Sequence, residues 1–244
     1  MRWKMVLSWM RLLLVQASWN YERMVGVGVA FASEPMLRGL PGGKKGERYR
    51  QAVGRAAQYF NAHPYLTGLA VGALARAEYE NVPPEKMHRL RTALTGPLGS
   101  LGDKLVWVGV LPMAAGVGLL ISVAVSPVVG VVSFLVLYNG VHLALRCWGL
   151  WAGWHGGIRV AEKLSAPVFK LGLRVVGPLA ALSLGLALPT VIAWLARDYD
   201  WGGSVGVGIV ALVGVAFARW IWPTLGGMRF GLLVVALAAA AGWV

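Results

Sequence analysis

Apolar positions are spread unevenly along the chain: from residue 105 they run almost without a break, whereas before it they alternate with charge, proline and glycine. The run 105–145 exceeds one bilayer crossing, which takes about 20 residues. Ser126-Pro127 near its middle divides it into crossings over 105–125 and 128–145. Further apolar stretches at 175–196, 204–222 and 230–244 bring the expectation to about five transmembrane helices.

The first part predicts shorter elements. Met5 to Val15 is apolar except for Ser8 and Arg11, and Arg2, Lys4 and Arg23 flank it, which predicts a helix lying among lipid headgroups. Segment 36–50 mixes Pro, Gly and five basic residues and reads as a cytoplasmic loop. Its faint likeness to a phosphate loop lacks the Ser/Thr after the lysine and a preceding strand. Gln51 to Glu80 reads as helix broken at His63-Pro64, Pro83-Pro84 ends it, and Glu85 to Leu94 predicts a short polar helix. At 95–104 three glycines and a proline oppose a plain helix between apolar flanks. Irregular backbone at membrane depth survives only where protein or water covers it, so a re-entrant hairpin is expected. The alternative is a surface turn in which Asp103 caps the following helix. The fold class is thus an all-α polytopic membrane protein. An interfacial, re-entrant N-terminal half (residues 1–104) precedes the transmembrane helices (105–244).

Composition agrees. Of 244 residues 57% are hydrophobic and 14% charged, against about a quarter charged in soluble domains. The formal net charge of +13 is read as the positive excess of cytoplasmic segments and not as a nucleic-acid surface, because the basic residues are dispersed. Residues 146–174 carry five basic residues against Glu162 alone and are expected to form a cytoplasmic loop; 197–203 lacks positive excess and suits the outside. The N-terminal region is then cytoplasmic and the C-terminus external. No signal-peptide pattern is read in Met1 to Val15, so insertion is expected to rely on internal spans. The single cysteine, Cys147, leaves no intramolecular disulfide or thiolate cluster.

Four stretches hold polar groups that lipid would penalise. Gln16 to Met24 places Asn20, Glu22, Trp19 and Tyr21 within a few residues. Amide, carboxylate and aromatic groups are what sugar hydroxyls and the apolar sugar face require; an interfacial anchor with Glu22 paired to Arg23 is the other reading. Tyr59 to Tyr65 contains His63, more often a helix-end residue than a ligand or proton carrier. The third stretch is 95–104. Asn139, His142 and Arg146 share one helical face and are read as the end of the second crossing. No catalytic triad, nucleotide loop or metal set can be assembled, so neither catalysis by this chain alone nor a cofactor or metal is expected.

Four motifs in this order, QASWNYERM (16–24), FNAHPYLTGLAVGALARAEYE (60–80), TGPLGSLGDKLVW (95–107) and NGVHLALRCWGLWAGWHGG (139–157), resemble the IID membrane component of mannose-family (mannose/fructose/sorbose) phosphotransferase-system sugar permeases. The resemblance implies a bacterial inner-membrane subunit that pairs with a IIC membrane subunit to bind and translocate a hexose. Soluble IIA and IIB proteins would phosphorylate the sugar, the IIC–IID pair would form a higher-order homo-oligomer, and movement would be elevator-like. It also implies Asn20, Glu22 and Asp103 as sugar contacts. One departure is that Lys104, Leu105 and Val106 stand between Asp103 and Trp107, where the family usually has a small residue or proline and an aromatic pair. A lysine paired with Asp103 motivates the alternative of a non-transporting scaffold or sensor descended from such a permease.

Overall fold

The computed structural model describes residues 2–164 and 167–195. Among these residues every regular element is helical, and the only β-type pairings are the isolated bridges Asn20–Met24 and Met24–Phe60. Residues up to Val191 form one compact unit.

The N-terminal half is built from α1 (Arg2–Leu12), α2 (Gly26–Leu37), α3 (Glu47–Ala56), α4 (Thr67–Tyr79) and α5 (Pro84–Leu94). Helix ends follow local chemistry. Glu47 opens α3 and Arg55 closes it, matching the helix dipole. Pro84 opens α5, where its missing N–H costs nothing. Leu12, Val29, Met36, Phe60, Leu66 and Leu69 lose all solvent contact and form the centre of a packed core. The least exposed carboxylates of this bundle, Glu34 and Glu78, are paired. Glu34 accepts from Arg11 Nη1 (2.8 Å), Arg38 Nε (2.6 Å) and the Tyr49 hydroxyl (2.8 Å). Burial alone would raise the Glu34 pKa, but the hydrogen bonds from Arg38, Tyr49 and Arg11 and the charge of Arg38 bring it down to about 2.

Two expectations fail in instructive ways. The 95–104 stretch is not an irregular hairpin: Pro97–Leu105 forms α6, which passes through one wide π-type turn at Val106–Val110 into α7 (Leu111–Ala124). The irregularity is confined to Thr95, which is extended, and Gly96, whose φ of +92° favours glycine. Gly102 answers to packing: a Cβ there would lie 2.1 Å from Cβ of His63. Asp103 lies inside α6 and caps nothing.

The second failure concerns 146–174. The helix α8 (Pro127–Gly156), started by Ser126 Oγ accepting from the Val129 N–H (3.3 Å), runs ten residues beyond Arg146. A 3-10 turn (Gly157–Arg159), α9 (Ala161–Leu164) and α10 (Pro167–Leu195) follow it, so the described residues of this stretch are almost all helical. Basic residues do not interrupt a helix, and Arg146, 2% exposed, is buried against the segment before α4 instead of facing water. Among the described residues three helical stretches are long and apolar enough to cross a membrane: Pro84–Ala124, Pro127–Arg159 and Lys170–Leu195. The crossings expected at 204–222 and 230–244 and the 197–203 linker lie outside the described residues.

The two halves are joined mainly by α4 on α8. Glycines make this possible. A Cβ on Gly72 would stand 2.5 Å from Leu150 O and Trp154 N, and one on Gly153 would stand 2.3 Å from Leu69 O. Gly68 and Gly149 meet the opposite backbone in the same way. The helices therefore touch main chain to main chain, the contact that small residues four apart allow.

Candidate functional site

The motifs separated in sequence meet at residues 57–66, the irregular connection between α3 and α4. Phe60 N–H donates to Arg23 O (3.2 Å) and Phe60 O accepts from Val25 N–H (3.1 Å), which ties this strap to the end of the first motif. One residue on, Asn61 O accepts from Gly96 N–H (3.2 Å), and His63 N–H donates to Leu98 O (3.2 Å), tying it to the third. Tyr65 reaches the fourth: its ring stacks on His142 at 4.1 Å and its hydroxyl donates to Tyr138 Oη at 2.7 Å.

Asn20 is exposed, with Oδ1 accepting from Arg23 N–H (2.9 Å) and Nδ2 donating to Ser18 O (3.1 Å). This leaves the amide one N–H and one lone pair. The Glu22 side chain is 81% exposed, with Arg23 Nε 3.6 Å away. Trp19 and Tyr21 pack edge to face at 4.8 Å beside them, both exposed. Asp103 and Lys104 are exposed, and no ion pair joins them among the described residues, so the pairing that motivates a scaffold does not form. No hydrogen bond or ion pair links Asn20, Glu22 and Asp103 directly among the described residues; the strap is what brings their segments together.

The buried part of this region is aromatic and basic. His63, 2% exposed, lies 5.5 Å from the Trp107 ring and 4.9 Å from Tyr65. Its Nδ1 accepts from Tyr65 N–H (3.2 Å) and its Nε2 is buried without a partner among the described residues. Burial first, then the charge of Arg146 and the nearby His142, push its pKa down to about 4, so it is neutral near pH 7 and, with Nδ1 accepting, Nε2 carries the proton and can donate one hydrogen bond. Arg146 Nε donates to His142 Nε2 at 2.6 Å, and the guanidinium lies 5.2 Å from the Tyr65 ring. Asn139 stays outside this cluster, donating to Leu135 O (2.8 Å) on its own helix. The sequence placed His142 and Arg146 on one face, but their stacking on Tyr65 and the exposed, unbonded amide of Asn61 had no signature beyond the motif itself.

Comparison with known proteins places these observations. The family model described as "PTS system mannose/fructose/sorbose family IID component" matches residues 2–221. The chain is 30% identical over 193 residues to the mannose-specific EIID component of Escherichia coli K12, covering 74% of this chain and 68% of that one. It is 29% identical over 202 residues to the sorbose-specific EIID component of Klebsiella pneumoniae (78% and 73%). With the fructose permease IID component of Bacillus subtilis it shares 27% identity over 205 residues (78% and 72%). Two solved structures share the fold. One, described only as a membrane protein, superposes with a TM-score of 0.73 at 20% identity over 100% of this chain and 98% of that one. In the other, a complex of the mannose transporter ManYZ with microcin E492, the matched chain gives 0.60 at 22% identity, covering 100% and 96%.

Proposed function

The chain belongs to the mannose/fructose/sorbose family of phosphotransferase-system IID components, and from that premise we propose that it binds and translocates a hexose of the mannose type together with a IIC membrane subunit. Soluble IIA and IIB proteins phosphorylate the sugar in a phosphoenolpyruvate-dependent relay, and this chain takes no phosphoryl group itself. It resides in the bacterial inner membrane with its N-terminal region cytoplasmic. Its unit of action is an oligomer of IIC–IID pairs that moves in an elevator-like manner.

The observation that carries this reading is the convergence of the first and third motifs on the 57–66 strap, through Phe60, Asn61 and His63. It supports a common surface for Asn20, Glu22 and Asp103. Their exposure suits a site completed by a partner: carboxylates and an amide accept and donate to sugar hydroxyls, while Trp19 or Trp107 offers a flat apolar face.

The test is labelled hexose uptake in cells lacking their own mannose permease, supplied with this chain and its IIC, IIA and IIB partners. A hydrogen bond to a charged group is worth about 1.5–3 kcal/mol. Glu22→Gln should therefore lower uptake efficiency roughly ten- to hundredfold with the protein retained in the membrane. Unchanged uptake would move the site elsewhere, and no uptake of any hexose by the assembled complex would overturn transport.

A further inference from the structure

A concave site lies among α2, α3, α4 and α5, with Gln58 of the strap in its lining. It is a cavity of about 280 Å³ whose polar lining comprises Ser33, Arg55, Gln58, Glu78, His88 and Arg91. That size is at the small end of ligand pockets, which begin near 300 Å³. Its charges are arranged unequally. Glu78, 8% exposed, is already neutralised by a two-pronged pair with Arg55 (Nε–Oε1 and Nη2–Oε2, both 2.8 Å).

Arg91 has no such partner. It is 6% exposed, and among the described residues no carboxylate pairs with it. Nε donates to Tyr59 O (3.2 Å) and Nη2 to Ala56 O (3.2 Å) and Gln58 O, while Nη1 has no hydrogen-bond partner among the described residues. Ser33, 2% exposed, lines the same cavity with an unpartnered Oγ. A buried guanidinium with no counter-charge is costly, and an anion in the cavity supplies one. Gln58 and His88, exposed at the mouth, add hydrogen-bonding side chains and also line an adjoining hollow with Arg91.

We propose that this cavity binds a small phosphorylated metabolite, no larger than a hexose phosphate, with its phosphoryl group on Arg91 and within reach of Gln58 and His88. The planar fork of arginine matches phosphate oxygens. Because Arg91 holds the carbonyls of Ala56, Gln58 and Tyr59, occupancy bears on the strap that positions the first motif. On the transport reading above, the ligand is then a regulator of uptake.

The binding test does not depend on that reading. The full-length chain, purified from membranes with any partner that accompanies it, is titrated with mannose 6-phosphate and, separately, with free mannose. Saturable binding of the phosphate is expected, uncompeted by free mannose, retained in Glu22→Gln and weakened about tenfold or more in the surface double variant Gln58→Ala/His88→Ala. Arg91→Lys, which keeps the charge but loses the fork, should also weaken it. No saturable binding, or binding insensitive to the double variant, or binding lost in Glu22→Gln and displaced by free mannose, would overturn the cavity assignment. Binding as expected in a complex that transports no hexose would leave this site standing and remove the transport reading.

Discussion

The N-terminal bundle and the long helices that follow it solve the same problem in opposite ways. Residues 2–105 carry most of the charge, yet here the large aliphatic side chains are sealed inside: Leu12, Leu69 and Val71 are 0% exposed. In α7 and α8 the charge nearly disappears, yet the large side chains point outward, with Val128 72% and Val136 68% exposed. In the bundle water drives burial. In the long helices the exposed aliphatic faces suit lipid, which is as apolar as they are, so only small-residue contacts and polar groups hold helices together. Apolar content alone therefore does not locate the core of such a chain.

The α4–α8 seam, where the two regimes touch, is the sharpest place to break this contrast. Gly72→Leu would drive a side chain into the main chain of Leu150 and Trp154, which cannot withdraw, and membrane extracts should yield no monodisperse protein. Next in size is Leu69→Ala, which should lower stability in detergent by about 2–5 kcal/mol, read from thermal unfolding. Glu34→Gln comes third, at about 2 kcal/mol. Removing one partner of a buried ion pair costs about 3–5 kcal/mol, reduced here because the Glu34 side chain keeps 15% of its exposure.

The same carboxylate sets a pH window. Its folded pKa is depressed to about 2 from 4.5, so its contribution is fully present above the unfolded value and is lost as pH falls from about 4.5 toward 2. The slope of stability against pH in that window should flatten in Glu34→Gln. The smallest effect is expected at Leu135→Ala, on the outward face of α8 at 47% exposure, where the change in detergent should stay within about 0.5 kcal/mol. A large loss there would mean that this face is a protein interface, and the contrast with Leu69 would fall.

Much of the helical layout was legible in the chain: proline placement delimits α4, α5 and the α7–α8 break close to where they lie, whereas α3 begins inside the stretch read as a loop and ends eight residues before Pro64. The errors share a cause. Glycines at 99 and 102 were read as helix breakers and Arg146 as a helix end, because sequence shows a residue's intrinsic preference but not its neighbour. Gly102 is helical because His63 needs the space a Cβ would occupy, and Arg146 stays in the helix because Tyr65 and His142 receive it. The candidate site was legible as four polar motifs, whereas Asn61, Trp107 and the strap that gathers them were not.

By itself the sequence determined how apolar this chain is, where its apolar stretches lie and its resemblance to a sugar-permease component. Those properties are carried by composition, by period and by short motifs read in order. Only the tertiary structure decided that residues 57–66 bind two distant motifs through backbone hydrogen bonds, which carry no side-chain signature. It also decided that Arg91 is buried beside a cavity with no carboxylate paired to it among the described residues, since the depth of a charge and the groups left to meet it follow from packing between distant segments.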